Sequence, residues 1–272
     1  MSFQKSSTKE NKKSYWEHLE DLRWLLIRVF AVIIIFSTIA FLNKNFVFNK
    51  IFLSPKEPWF LTNHILCNLS KTLSLPALCI NSSYIKIINI NLSGQFYTHI
   101  YISFFCGIII ASPYIFWEIW NFIKPALSKK EKENSKGAVM VCTILFLIGI
   151  LFSYFIIVPL TLNFLGNYHV SYIVENNISL NSYINTIISV TLSIGIVFET
   201  PVLIFFLTKV GILTPQLMRK GRKIVIVILL IVSAIITPPD AFSQILVCIP
   251  LIILYEISIR VSEKVYKKLK KL

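Results

Sequence analysis

The chain has 272 residues, of which 55% are hydrophobic and 15% charged, and its formal net charge is +14 at pH 7. Soluble domains are roughly 45–50% apolar and about 25% charged, so this composition excludes an ordinary soluble domain and indicates a multi-span membrane protein with one membrane domain. The basic residues lie between apolar segments and form no compact patch with interleaved aromatic residues, which argues against a nucleic-acid partner.

Six apolar segments predict an all-α fold with six transmembrane helices. They lie at residues 24–42, 95–122, 139–165, 183–210, 224–236 and 241–259. The fifth segment has about 13 apolar residues, which span about 20 Å as a helix, whereas the hydrocarbon core of a bilayer is about 30 Å thick. This helix is therefore predicted to be too short for an undistorted bilayer.

The Lys and Arg residues predict the orientation. Of the 27 such residues, six lie in 1–28, five in 124–136, five in 209–223 and six in 260–272, and the remaining five lie in 44–86. The positive-inside rule therefore places both termini in the cytoplasm, together with the second and third of these basic segments. The expected organisation is a cytoplasmic amphipathic segment (1–23), a six-helix domain (24–259) with an outer-side loop (43–94), and a basic cytoplasmic tail (260–272).

The amphipathic stretch from Ser14 to Trp24, just before the first span, carries three acids on a positively charged flank: Glu17, Glu20 and Asp21. In one interpretation it is a solvated interfacial helix whose acids pair with nearby Arg or Lys, which contributes under about 1 kcal/mol when exposed. In the other it is an acidic surface for a basic peptide, because carboxylates accept charge-assisted, bidentate hydrogen bonds from arginine. The residues alone leave both interpretations open.

The outer-side loop contains several prolines, among them Pro55, and we expect it to form a small cap of turns and short helices. Cys67 and Cys79 both lie in this loop. In an oxidising compartment they would form a disulfide, but two free thiols are an equal alternative, since the sequence cannot test the geometry.

The segment 112–131 ends the second span and enters a cytoplasmic loop. Its aromatic residues, which include Phe122, are typical of a belt at the membrane interface. Pro125 is expected to end the helix, which places Glu131 in the loop or at the start of the next helix, on the same side of the membrane as Asp21. Two acidic sites on one surface suit a doubly charged ligand.

Glu199 lies in an apolar run with no basic residue within about nine positions. An ionisable side chain at bilayer depth costs at least about 2.5–3.5 kcal/mol, so a function in the bundle interior is favoured over a neutral carboxyl bonded to a neighbouring helix. Asp240 follows two prolines and is expected to cap the last helix. Gln244, one turn later, is expected to hydrogen-bond a partner helix, which contributes about 0.6 kcal/mol.

No set of residues indicates covalent chemistry, a metal site or a cofactor. The four histidines are scattered along the chain, and the sequence contains no glycine-rich phosphate loop. We therefore expect a protein that is not an enzyme.

Five motifs resemble those of the TatC family, the multi-span receptor subunit of the twin-arginine protein translocase. They are His18-Leu-Glu-Asp-Leu-Arg23, Pro113 through Glu131, Phe198-Glu-Thr-Pro-Val202, Thr237 through Gln244 and Pro250 through Glu256. In this order they cover nearly the whole chain.

The resemblance implies a concave, glove-like bundle with short fifth and sixth helices. It also implies a core receptor that binds the twin-arginine signal peptides of folded proteins at the cytoplasmic face. Such a receptor nucleates a translocation site, driven by the proton-motive force, with TatA- and TatB-type single-span partners, and self-association is expected. The implied location is the bacterial inner membrane, with an organellar inner or thylakoid membrane as the alternative.

Transferred residue by residue, the resemblance assigns two sets of positions. Signal-peptide binding is assigned to Glu20, Asp21, Arg23, Phe122 and Glu131, and intramembrane polar and partner-docking roles to Glu199, Asp240 and Gln244. Structural roles are expected for Pro113 and Pro125 within the motifs and for Pro55 in the outer-side loop. Asp21 stands where the family usually has Glu, which shortens its reach by about one methylene, so Glu20 is an alternative for the arginine contact. Lys132 and Glu133 follow Glu131 where the family often has two basic residues.

The alternative function is a proton-coupled secondary transporter or channel, with Glu199 as the proton site. Intramembrane carboxylates serve this purpose in many pumps. The sequence argues against a transporter because no second buried charge is expected to form a relay with Glu199.

Overall fold

The structure is a computed structural model that describes residues 15–73, 79, 86–124, 137–168, 171, 177–237 and 241–270. In chain order the helices are α1 (Tyr15–Leu42), α2 (Leu61–Leu73), α3 (Gly94–Ile123), α4 (Ala138–Phe152), α5 (Val158–Asn167), α6 (Leu180–Val197), α7 (Thr200–Lys209), α8 (Pro215–Lys220), α9 (Arg222–Ile236) and α10 (Ala241–Lys270). Two strands, β1 (Lys86–Ile88) and β2 (Asn177–Ser179), pair in parallel with Lys86 opposite Asn177.

Five helical stretches among the described residues are long and apolar enough to cross a membrane. They are Trp16–Leu42, Gly94–Ile123, Ala138–Asn167, Leu180–Lys209 and Ser243–Lys268. A sixth apolar helix, α9, has 15 residues, or about 22 Å, which is less than the hydrocarbon thickness of about 30 Å. The prediction of a short fifth helix is confirmed, and the helices are consistent with six spans.

The last helix is not short, so this part of the prediction is wrong. α10 has 30 residues, because the segment after Ile259 contains no Gly or Pro and continues the helix through the expected basic tail. Contacts with α8 and the start of α9 hold the second half of α10, including one residue of this extension. Tyr255 Oη donates to the Met218 carbonyl at 2.9 Å, Arg222 pairs with Glu256 at 2.9 Å, and Arg219 pairs with Glu263.

The first two spans, α1 and α3, approach each other closely at Gly107. A Cβ at this position would lie 2.9 Å from the carbonyl oxygen of Ile33 and from the backbone nitrogen of Ser37. Small residues allow such backbone contact between membrane helices, where packing rather than the hydrophobic effect drives association. α3 continues through Pro113, whose ring nitrogen cannot donate the usual hydrogen bond.

The outer-side loop forms the expected cap. A π-helical segment (Asn45–Phe52), a 3₁₀ turn (Ser54–Lys56) and α2 follow α1. Pro55 is buried in the 3₁₀ turn, where its carbonyl accepts a hydrogen bond from Asn63 at 3.2 Å. A disulfide joins Cys67 to Cys79. The cap therefore has internal covalent and hydrogen-bonded supports.

Two tyrosines, the half-buried Tyr154 and the buried Tyr183, attach the cap to the spans. A π-helical turn, Ser153–Ile157, separates α4 from α5, and Tyr154 within it donates to the Ile51 carbonyl at 2.7 Å. Tyr183 of α6 donates to the Phe52 carbonyl at 2.9 Å and is 1% exposed. Because both acceptors lie in the backbone of the π-helical segment, the two hydroxyls fix where this segment crosses the bundle.

We predict that Tyr183→Phe destabilises the protein by about 1 kcal/mol, because the Phe52 carbonyl would be buried without its donor. Thermal unfolding in detergent measures the effect. Tyr101→Phe is the matched control, since the Tyr101 hydroxyl lies 3.4 Å from Asn185 Oδ1 in an exposed contact. Equal melting temperatures for Tyr183→Phe and the wild type would contradict this role.

We also predict that Gly149→Ala destabilises the packing of α4 on α6. An added Cβ would lie 2.9 Å from Phe198 Cβ and 3.0 Å from the Gly195 Cα, and such overpacking costs about 1–3 kcal/mol. Gly137→Ala is the control, because a Cβ there meets nothing within 4 Å among the described residues. The free energy of unfolding in mixed micelles should fall for Gly149→Ala alone, and an equal loss in both variants would count against the tight crossing.

Candidate functional site

A polar notch of about 270 Å³ lies between the first half of α1 and the end of α3. Its described lining residues are Asp21, Trp24, Leu25, Arg28, Glu118, Asn121 and Phe122. Helical periodicity explains why they meet. On each helix the lining positions lie one, three, four or seven residues apart, so they form one stripe, and the two stripes face each other. We call this site the α1–α3 notch.

The floor of the notch is an ion pair between Arg28 and Glu118. Arg28 Nε donates to Glu118 Oε1 at 2.9 Å and Arg28 Nη2 donates to Oε2 at 3.0 Å, which is the two-pronged geometry of a strong arginine–carboxylate contact. Tyr114 Oη also donates to Oε1, at 2.8 Å. The Glu118 side chain is 5% exposed and that of Arg28 is 50% exposed. The carboxylate is therefore buried and satisfied, while the guanidinium borders the open notch.

The structure brings two of the predicted signal-binding residues together. Asp21 and Phe122 both line the notch, and the His18 ring packs edge-on against Phe122 with centroids 6.1 Å apart. Glu20 and Arg23 are exposed and do not line it. The Arg23 guanidinium instead lies 5.6 Å from the centroid of the Trp24 ring, a cation–π distance.

Other predicted residues fall outside the described part of the chain. These are Glu131 and Pro125, which follow α3, and Asp240, which precedes α10. Their assigned roles stay predictions.

The sequence reasoning missed the Arg28–Glu118 pair. It counted Arg28 as a flanking basic residue and expected no buried charge besides Glu199, and this expectation is wrong because Glu118 is buried. A usable signal was present. Arg28 lies four residues inside the first apolar segment, and Glu118 lies inside the second. Opposite charges within neighbouring membrane helices tend to pair.

Glu199 lies at a break between α6 and α7, which form one apolar span. Pro201 in the first turn of α7 has no N–H to donate, and the turn is tightened by a bond from the Glu199 nitrogen to the Ile196 carbonyl at 3.0 Å. Glu199 Oε1 is buried, and no described residue hydrogen-bonds it. The carboxyl group interacts with the Cys142 thiol of α4. The helix break therefore places a carboxylate oxygen that can accept a hydrogen bond within an apolar span.

An apolar groove of about 520 Å³ adjoins this break. Its walls come from α4, α7 and α10, and the residues on either side of Glu199, Phe198 and Pro201, line it. A groove of this kind suits an apolar helix or a lipid chain.

Gln244 is engaged within the chain. Its Nε2 donates to the Leu230 carbonyl of α9 at 3.0 Å. This bond ties the start of α10 to the short helix α9, so one donor of the amide is already used between two of the chain's own helices.

Together, the apolar helices define a multi-pass membrane protein, which has a polar notch at the end of two helices and a carboxylate at a helix break. Among the described residues no group of three or more His, Cys, Asp or Glu side chains could hold a metal ion.

Comparison with known proteins identifies the family. The family model for the Sec-independent protein translocase protein (TatC) matches residues 17–250. The TatC protein of Blattabacterium sp. subsp. Periplaneta americana (strain BPLAN) is 40% identical over 261 residues, which cover 95% of this chain and 98% of the relative. TatCy of Bacillus subtilis (strain 168) is 32% identical over 263 residues, covering 97% of this chain and 94% of the relative.

A solved structure agrees with this result. A crystal structure of the twin-arginine translocase receptor TatC superposes with a TM-score of 0.71 at 33% identity, covering 91% of this chain and 99% of that one. The chain belongs to the TatC family. It is therefore a component of the Sec-independent protein translocase, in a family that is not one of enzymes.

Proposed function

We propose that this chain is the core receptor subunit of a twin-arginine translocase, which binds the signal peptides of folded proteins at the cytoplasmic face. The observation that carries the proposal is the α1–α3 notch, where Asp21 and Phe122 lie together at the end of two membrane helices. The notch supports this function because it combines a carboxylate with aromatic side chains in a cavity of side-chain size.

The chemistry of the notch suits arginine better than lysine. A guanidinium is planar and donates two parallel hydrogen bonds to a carboxylate, and it also stacks on aromatic faces. Asp21 would accept the hydrogen bonds, while Trp24 and Phe122 would cover the guanidinium and its aliphatic stem. An ammonium group offers a single point charge and lacks this planar fit.

The second signal arginine is assigned to Glu131, in the basic segment after α3. Two adjacent cations repel each other, so separate carboxylates hold them better than one. Asp21 precedes the first span and Glu131 follows the second, so the positive-inside orientation puts both on the cytoplasmic side.

The translocation step is assigned to Glu199 and the adjoining apolar groove. TatA- and TatB-type single-span helices are the proposed partners, with self-association of the receptor and the proton-motive force as the energy source. Glu199 Oε1 supports this assignment because a buried carboxylate oxygen can accept a hydrogen bond from a polar group of an incoming helix. Asp240 and Gln244 are proposed to contribute to docking at the other end of the bundle.

The proposed location is the bacterial inner membrane, since the relatives described above are bacterial.

The test is photo-crosslinking from positions 21 and 131 to a signal peptide that carries Arg-Arg or Lys-Lys. Crosslinks at both positions that require the arginines would support the receptor function. Absent crosslinks, or crosslinks that ignore the replacement, would overturn the site assignment and favour the transporter alternative at Glu199.

We predict that Asp21→Lys and Glu131→Lys each abolish export of a twin-arginine reporter, because each places a cation against a signal arginine. Asp21→Asn should weaken peptide binding about tenfold, since a charge-assisted hydrogen bond contributes about 1.5–3 kcal/mol. Glu20→Lys is the matched control, because Glu20 neighbours Asp21 but lies on the exposed face. If Glu20→Lys is as damaging as Asp21→Lys in the same export assay, the arginine contact belongs to Glu20.

We further predict that Glu199→Gln retains signal-peptide binding but lowers transport, because it removes charge while preserving shape. Peptide crosslinking and reporter export, measured on the same membranes, separate the two effects. Glu57→Gln in the cap is the control for loss of an acid outside both sites. Loss of peptide binding in Glu199→Gln would contradict this separation of roles.

A further inference from the structure

The helix α2 of the cap carries an apolar stripe that the described part of the chain leaves uncovered. Leu61, Ile65 and Leu69 follow each other at intervals of four residues, which places them on one side of the helix. Their side chains are between 45% and 57% exposed. We call these three residues the α2 stripe. Trp59, just before the helix, is also exposed.

α2 has three distinct sides, each about a third of its circumference at 3.6 residues per turn. One side is buried or half-buried against the rest of the protein and includes Thr62, Asn63, Leu66 and Ser70. The second side is the α2 stripe. The third side is exposed and polar and includes His64, Asn68 and Lys71. A helix with a protein-facing, an apolar and a polar side suits the boundary where protein, lipid and water meet.

Contacts at the start of α2 define its depth in the membrane. Phe60 stacks on Phe155 with ring centroids 5.6 Å apart, and Thr62 Oγ1 donates to the Phe155 carbonyl. Phe155 lies in the apolar span Ala138–Asn167, and the distance from Ala138 to Phe155 along a helix is about 26 Å. Because the hydrocarbon layer is about 30 Å thick, the start of α2 lies near the outer boundary of this layer.

The composition of this segment fits a lipid surface. Between Pro58 and Leu73, Lys71 is the only residue with a formal charge at pH 7, and it lies on the polar side. Helices that lie in a membrane interface carry basic residues on the polar side and Trp or Leu on the other, and tryptophan is enriched at this depth. With 13 residues, α2 is about 20 Å long, which is too short to cross the bilayer.

We propose that α2 is an interfacial helix whose stripe inserts into the membrane lipid on the outer side, next to the span that contains Phe155, with Trp59 as an interfacial anchor. This inference goes beyond the proposed function and does not depend on it. The bilayer then holds the cap together with Tyr154 and Tyr183.

A second copy of the chain is the competing occupant of the α2 stripe. A stable protein–protein interface uses about 20–30 residues on each side, whereas the stripe provides three residues. The depth of Phe155 and the tryptophan beside the stripe both favour lipid over a second copy.

The experiment places the photoreactive residue p-benzoylphenylalanine at single positions of the full chain, in nanodiscs that each hold one chain and contain phosphatidylethanolamine and phosphatidylglycerol. Positions 65 and 69 test the stripe, and positions 64 and 68 are the matched controls on the polar side. Position 156 is the reference, because Ile156 follows Phe155 and is exposed on the span. After irradiation, mass spectrometry of the intact chain measures the yield of lipid adducts.

We expect the lipid-adduct yield at positions 65 and 69 to lie within about twofold of that at position 156 and about fivefold or more above that at positions 64 and 68. Equal yields on the two sides of α2, or yields at 65 and 69 as low as those at 64 and 68, would overturn the inference. Position 61 replaces either stripe position if the variant does not fold, as judged by its melting temperature.

The same variants in liposomes that hold many chains test the competing occupant. Lipid adducts that persist at positions 65 and 69 support the inference. If adducts between two chains replace the lipid adducts there, the stripe binds a second copy and the inference is wrong. Neither result bears on the binding of signal peptides, so the proposed function is tested separately.

Discussion

The close packing of α1 against α3 is the constraint on which the candidate binding site depends. Gly107 brings the two backbones together, and the Arg28–Glu118 pair joins them about three helical turns further along α3. Only with the helices at this distance do the stripe containing Asp21 and the stripe containing Phe122 form a single notch. Apolar side chains gain little free energy when they move from lipid to a helix interface, because both surroundings are apolar. Small residues and polar pairs must therefore make the pairing of α1 with α3 specific.

In the half of the molecule that contains α7 to α10, one apolar helix is shorter than the hydrocarbon layer. α9 is too short for an unperturbed bilayer, and its neighbours compensate: Gln244 bonds its backbone, and α10 packs along α7 and α8 with polar contacts such as Thr208 to Ser262 at 2.8 Å. The break at Glu199 lies in the same half. A thin, interrupted wall next to an apolar groove is a place where the membrane is easier to deform or where a further helix can insert.

The positions of the helices could be predicted from the sequence, but the contacts that join the helices could not. Hydropathy locates the spans because each must satisfy its own backbone hydrogen bonds in lipid. It does not locate the end of α10, because hydropathy marks where a helix leaves the apolar layer and not where it stops. The Arg28–Glu118 pair was missed since its members are 90 residues apart and become partners only through tertiary packing. Asp21 and Phe122 were predicted from a resemblance, and packing places them side by side.

The two tyrosine hydroxyls that hold the cap bear on which substitutions the outer segment can tolerate. Tyr154 and Tyr183 donate to the carbonyls of Ile51 and Phe52, and every residue type has a carbonyl. These two hydrogen bonds therefore depend on the path of the outer segment and not on the identity of the acceptor residues. Ile51, which is only partly buried, can be substituted without loss of its hydrogen bond as long as that path is kept, whereas Phe52 is also held by the burial of its own side chain.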